Sequence, residues 1–383
     1  MSAPQRLSPA SFIKHAADVS NFYGFKPMKE VERSVPRAER IKGPHSFTTS
    51  TALSAAYLAH QSKEPVLSFY ASHTPSHLPS SFAPRETGEF GLQVVGAGDS
   101  LGEIVVLKTL FAILNEWGAG VGRLRINTLG DRDSKLRFER ELAGFARKRA
   151  ADMSECCRTQ VTQNAFALYR CSNSACRELI QDGGPRTMNF LSEKSRVHFK
   201  DVLEHIERLG FPYELDDLLV GDDREARLVF ELDLATPDAT VLSVVGGRHD
   251  DYFRKVANKK EGSLVSASIF FRNNGIARAH FMPTPTAKMP KVYFVQLGLR
   301  AKLEGLAVVD MLRDAGVPVS QSFDAKSLTP QLESAKAQGV SHLLIMGQRE
   351  ALDRTVIIRS ATNSSQQIVQ LAALPRFLKT IKA

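Results

Sequence analysis

The chain has 383 residues, 43% of them hydrophobic and 24% charged, which supports two or three domains with cores of their own and excludes a largely disordered chain. Its 50 Lys and Arg against 41 Asp and Glu leave a formal net charge of +9. That balance favours a polyanionic partner, although a solvated basic surface produces the same count. The longest apolar run, residues 104–114, contains Lys108 and is too short for a membrane span, so no membrane is expected. No basic start followed by an apolar core suggests secretion. Four cysteines read as reduced thiols of a cytoplasmic protein rather than as a disulfide framework.

In chain order, residues 11–23 place Phe12, Ile13, Ala16, Val19 and Phe22 at helical spacing, with Gly24 as the stop. Residues 25–31 read as extended. Residues 32–51, broken by Pro36 and Pro44, read as a loop before a small-residue helix at 52–60, and residues 66–72 as a strand. The Ser-, His- and Pro-rich stretch 73–84 has no periodicity. A strand at 90–95 follows, then a helix capped by Asp99-Ser100 that runs to Trp117 and stops at Gly118. Residues 121–127 alternate like a half-buried strand. A second long helix, 131–152, carries Arg137, Arg140 and Arg147 among balancing acids, the pattern of a solvated face or of a phosphate-binding one.

Cys156, Cys157, Cys171 and Cys176 cluster in sequence. An adjacent pair and a four-residue gap do not match two paired zinc knuckles, and no His lies among them, so the expectation is buried thiols and no metal. A capped helix at 192–209 leads to two apolar runs, 228–234 and 241–245, that flank the turn Thr236-Pro237-Asp238 and read as an antiparallel pair. Gly246-Gly247 then brings Arg248, His249 and Asp250 close to whatever lies above the sheet. Runs 264–271 and 276–282 around Asn273-Asn274-Gly275 read as a hairpin. After a linker, residues 284–290, which with Pro283 carries three prolines, strands and helices alternate to the end, the pattern of a small parallel or mixed sheet covered by helices.

In their order and spacing, several of these segments resemble a histidyl-tRNA synthetase, a class II aminoacyl-tRNA synthetase. The resemblance is carried by Gly96 with the helix after it, by Glu155-Cys-Cys-Arg158 with Asn164, Cys171, Asn173 and Cys176, and by Leu219-Val220, Phe230-Glu231 and Gly246-Gly247-Arg248-His249-Asp250. It continues in Leu312-Arg313-Asp314-Ala315-Gly316 and in Gln331-Leu332 to Gly339. It implies an α+β core at residues 1–283, a class II-like antiparallel sheet with helices and a middle helical segment at about 131–210. A smaller α/β anticodon-binding-like domain at 291–383 should follow. It also implies a homodimer formed through the helix at 11–23, and tRNA or another structured RNA as partner.

The departures bear on activity. Where the family carries Arg-Gly-Leu-Asp-Tyr-Tyr, this chain has Gly221-Asp222-Asp223-Arg224-Glu225-Ala226. The strand corresponding to motif 2 reads Phe69-Tyr70-Ala71-Ser72-His73-Thr74-Pro75 and lacks the arginine that holds the ATP α-phosphate. The family's Arg-Pro-Glu-Gly-Thr aligns near Thr48-Thr49-Ser50-Thr51, and a family tyrosine has become His249. Arg272 could stand for the motif 3 arginine, though the following Asn-Gly suits a hairpin better than the family's helix. Losing one preorganised stabiliser of this type costs about 100- to 1,000-fold in rate. The expectation is therefore a protein without catalytic residues, with no cofactor, that binds RNA in translation or its regulation. The remnant pocket would be lined by Arg85, Gln93, Glu231, Arg248, His249 and Arg272, and RNA would be met by Arg137, Arg140, Arg147, Arg300, Lys302 and Lys326. The alternatives are an active, divergent histidine–tRNA ligase using ATP and Mg²⁺, and a regulatory subunit of ATP phosphoribosyltransferase in histidine biosynthesis.

Overall fold

The structure, a computed structural model, describes residues 8–28, 65–72, 86–162, 164–221, 225–234, 241–257, 260–272, 292–321, 327–363 and 365–380. Outside these fall the expected helix at 52–60, the stretch 73–84, the turn at 236–238, the hairpin turn at 273–275 with its second strand, and the linker. Arg85, Arg224 and Lys326 lie there too.

The larger sheet has eight strands in the order β1-β2-β3-β8-β7-β6-β4-β5. They are β1 (Lys26–Pro27), β2 (Val66–Ser72), β3 (Thr87–Val95), β4 (Val121–Thr128), β5 (Tyr213–Leu215), β6 (Ala226–Leu234), β7 (Val241–Arg248) and β8 (Leu264–Arg272). The six central strands pair antiparallel, and β1 and β5 join the two edges in parallel. Because successive side chains point to opposite faces, the register sorts the residues into two sets. One face carries Leu67, Phe69, Phe90, Leu92, Val94, Val265, Ala267, Ile269, Val244, Phe230 and Leu124. These pack on the helices α1 (Pro9–Phe22), α2 (Leu101–Trp117) and α6 (Glu193–Arg208), within one apolar core.

The Gly118 stop acts as the sequence suggests, whereas the helix expected over 11–23 starts two residues earlier, at Pro9. The Ser8 hydroxyl caps α1 by accepting from the Ser11 amide, and Gly118 closes α2 in the left-handed region at φ 79°. The helix expected over 131–152 is shorter: α3 spans Arg132–Lys148 behind an Asp131 cap, and Ala150–Asp152 continues as a 3-10 turn. Of the extended run expected at 25–31, Lys26–Pro27 form β1, and residues 29–31 lie outside the described residues. Between α3 and α6 lie α4 (Glu155–Val161) and α5 (Ser174–Gly183), and α7 (Asp250–Ala257) follows β7.

The second sheet has the order β10-β9-β11-β12-β13, formed by β9 (Val292–Gln296), β10 (Val319–Gln321), β11 (His342–Met346), β12 (Thr355–Ser360) and β13 (Gln366–Gln370). The first three are parallel and the last two antiparallel, the mixed α/β arrangement expected from the alternating pattern. Its helices are α8 (Leu299–Asp314), α9 (Leu328–Ala337), α10 (Gln348–Asp353) and α11 (Leu374–Thr380). Ion pairs join α8 to α2, Asp310 with Lys108 and Arg313 with Glu116, and the Tyr23 hydroxyl donates to Asp310. Among the described residues no helix is long and apolar enough to cross a membrane.

Candidate functional site on the polar face of the large sheet

The second face of the large sheet is polar and yet buried. The register aligns Ser68 and Tyr70 of β2, Thr87, Glu89, Gly91 and Gln93 of β3, and Ser266, Ser268 and Phe270 of β8 on it. Gly247 of β7 and Glu231 of β6 continue the row. Ser68, Thr87, Glu89, Gln93, Ser266 and Ser268 are all buried, which is costly for polar groups unless they bond to one another.

Glu89 is the centre of this bonding. Its Oε1 accepts from the Tyr70 hydroxyl at 2.9 Å and from the Ser268 hydroxyl at 2.5 Å. Burial raises its carboxyl to about 7, against the pull of those two donors. Gly91 is required here: a Cβ would lie 1.9 Å from the Tyr70 ring, which crosses the strand at that point. Four residues along β3, Gln93 stands opposite Ser266, whose hydroxyl lies 2.8 Å from His249 Nε2. His249 Nδ1 is 4.0 Å from Glu225 Oε1. A Cβ on Gly221 would lie 2.6 Å from the Glu225 carboxylate, and one on Gly247 3.5 Å from its Cγ.

The expected pocket residues thus separate. Gln93 and His249 meet around Ser266. Glu231 lies on the same face further out and pairs with Arg125 at 2.8 Å, which also bonds Asp216. Arg272 is exposed at the far end of β8, six residues or about 20 Å from Ser266 at strand rise.

Arg248 does not join them. It pairs in register with Val265, so its side chain points to the helix-covered face. There it is fully buried, with Nε donating to Glu103 Oε1 at 2.7 Å and Nη2 to Oε2 at 2.5 Å. Its remaining donors reach the carbonyls of Ala97 and Asp99, and Asp250. Burial alone would raise Glu103, yet the Arg248 guanidinium and His198 hold it at about 2. Arg248 is therefore a positioning residue that fastens β7 to α2, and the pocket role expected for it is corrected by strand parity. Sequence reading missed Glu89, Tyr70, Ser266 and Ser268. Their signal was the period-two alternation of Thr87, Glu89, Gly91 and Gln93.

Of the residues expected to meet RNA, Arg137, Arg140 and Arg147 are exposed on one side of α3, at spacings that share a helix face, opposite buried Phe138, Leu142 and Ala146. Arg300 is exposed at the start of α8. Lys302 is a correction: it lies on the buried stripe with Ala301, Gly305 and Leu306 and is 6% exposed, because the helix phase turns it inward.

An antiparallel-centred sheet with helices on its apolar face, followed by a small α/β domain, is the architecture of a class II synthetase-like protein. Residues 291–381 match the model of the anticodon binding domain. The chain is similar to histidine–tRNA ligases: it is 23% identical to that of Chlorobium phaeobacteroides over 359 residues, covering 91% of this chain and 80% of the relative. It is 26% identical to that of Geobacillus kaustophilus over 297 residues, covering 77% and 70%. The apo histidyl-tRNA synthetase of Staphylococcus aureus aligns over 99% of this chain and 100% of its own, with a TM-score of 0.49 and 18% identity.

Proposed function

We propose that this protein binds tRNA or a related structured RNA and no longer activates histidine. The reading rests first on the match of residues 291–381 to an anticodon binding domain, together with similarity to histidine–tRNA ligases along most of the chain. The exposed arginines of α3 and Arg300 supply the basic contacts. The single observation that carries the loss of chemistry is the floor of the polar face. An adenylation site must stabilise negative charge developing on phosphorus. Among the described residues the buried floor presents a carboxyl raised by burial, two serines and Phe270 opposite Glu89, while Arg248 is turned to the other side. Arg125, on the outer part of this face, is engaged by two carboxylates.

The test has two arms. In histidine-dependent ATP–pyrophosphate exchange, no turnover is expected even at high enzyme concentration, and measurable exchange would establish an active ligase instead. In filter binding with tRNA, affinity should fall steeply with salt. Replacing Arg137, Arg140 and Arg147 together by Ala should flatten the slope of log K against log salt by about 2 to 3, by the phosphate-contact rule. An unchanged slope removes α3 from the interface.

A further inference from the structure

The middle segment folds around a small core of its own, with Phe138, Leu142, Phe166, Leu179 and Ile180 among its members, and three of its thiols come to one point. Cys157 lies on α4, Cys171 lies in the loop before α5, and Cys176 lies in the first turn of α5. Their sulfur atoms are all within 4.8 Å of one another, Cys157 and Cys176 buried and Cys171 half-buried. The three thiols converge from two helices and a loop, so their approach does not show in spacing along the chain.

Backbone amides donate to two of the three sulfurs, while Cys157 is buried in the apolar core of the segment. The Ser154 amide donates to Cys176 Sγ at 3.3 Å, and the Asn173 amide donates to Cys171 Sγ at 3.4 Å. The Ser154 hydroxyl lies 3.1 Å from Cys176 Sγ and 4.0 Å from Cys171 Sγ. The Asn173 side chain accepts from the Ala175 amide at 3.0 Å, which fixes the turn between the two cysteines. Thiolates bound to zinc at about 2.3 Å in a tetrahedron stand about 3.8 Å apart. The cluster needs to contract by an ångström or less.

We propose that Cys157, Cys171 and Cys176 bind a thiophilic divalent cation of the zinc class, with the fourth position on the side of the Ser154 hydroxyl. Three thiols release three protons to solvent and the ion brings two positive charges, so the first coordination set carries a net charge of −1. No electron transfer is involved. The ion would tie α4 to α5 and so hold the middle segment together. This is separate from RNA binding and stands or falls without it.

The test uses the full chain, purified under reductant, stripped of metal and titrated with Co²⁺. One equivalent should develop a thiolate-to-cobalt charge-transfer band with intense visible bands of a tetrahedral ion, and one equivalent of Zn²⁺ should remove both. Cys171→Ser is the decisive variant, since Cys171 sits in a loop and the fold should survive its loss, as circular dichroism would verify. Its affinity should drop by at least about 10- to 100-fold, a direct ligand counting for no less than a group that bonds to one. Zn²⁺ should raise the melting temperature of the wild-type chain and not that of Cys171→Ser. Absence of the charge-transfer band, or wild-type cobalt affinity in Cys171→Ser or in a folded Cys176→Ser, overturns the proposal.

Discussion

Two fully buried carboxylates on opposite faces of the same sheet behave in opposite ways. Glu103, on the helix side, is gripped by Arg248 and held at about 2. Glu89, on the polar side, has two hydroxyl donors for company and rises to about 7. Burial is complete in both cases, so burial does not decide the charge; the neighbouring guanidinium does. A charged pair inside the protein serves as a fastener, whereas the near-neutral carboxyl leaves the polar face with little field to offer a phosphate.

Removing the guanidinium is the largest way to break this contrast. Arg248→Met leaves Glu103 buried without its countercharge and should destabilise the fold by about 3 to 5 kcal/mol, read from the urea midpoint. A loss below about 1 kcal/mol would mean that Glu103 takes a proton or that water reaches it.

The pH dependence sharpens it next, because the two carboxyls have opposite signs. Glu103 has its folded value below the unfolded 4.5, so its stabilising contribution is present above about pH 4.5 and is lost as pH falls towards 2. Glu89 has its folded value above the unfolded 4.5, so its contribution is full below about pH 4.5 and is lost as pH rises through 7. Glu89→Gln should therefore be more stable than wild type above pH 7, by up to about 3 kcal/mol, with no such gain below pH 4.5. Parallel urea titrations at pH 4 and pH 8 decide this, and an equal effect at both pH values rules out the ionisation argument.

The smallest expected effect concerns Arg125, which is about one-third exposed beside Asp216 and a more exposed Glu231. Arg125→Ala should cost no more than about 1 kcal/mol, by the same measurement. A loss as large as that of Arg248→Met would show that exposure does not separate the two arginines.

Much of the frame was legible in the chain. Ser192 caps the helix behind it, Gly118 ends α2, and the alternation of strands with helices after residue 291 matches the second sheet. These signals are local, set by backbone geometry and by hydrogen bonds a few residues apart. The resemblance, carried by scattered short segments, foresaw the class II-like sheet and the anticodon-binding domain. The candidate site was less legible. Lys302 and Arg248 are charged residues in sequence and were read as surface or pocket groups, but helix phase and strand parity turned both inward.

Sequence by itself determined that the helices form and which strands have an apolar side, because helical spacing and period-two alternation act within a few residues. Only the tertiary structure decided which strands lie side by side, and with that everything chemical. Glu89 meets Ser268 across 179 residues, Arg248 meets Glu103 across 145, and Ser154 meets Cys176 across 22. The charge on a buried carboxyl and the convergence of three thiols depend on such distant neighbours, and no spacing along the chain encodes them.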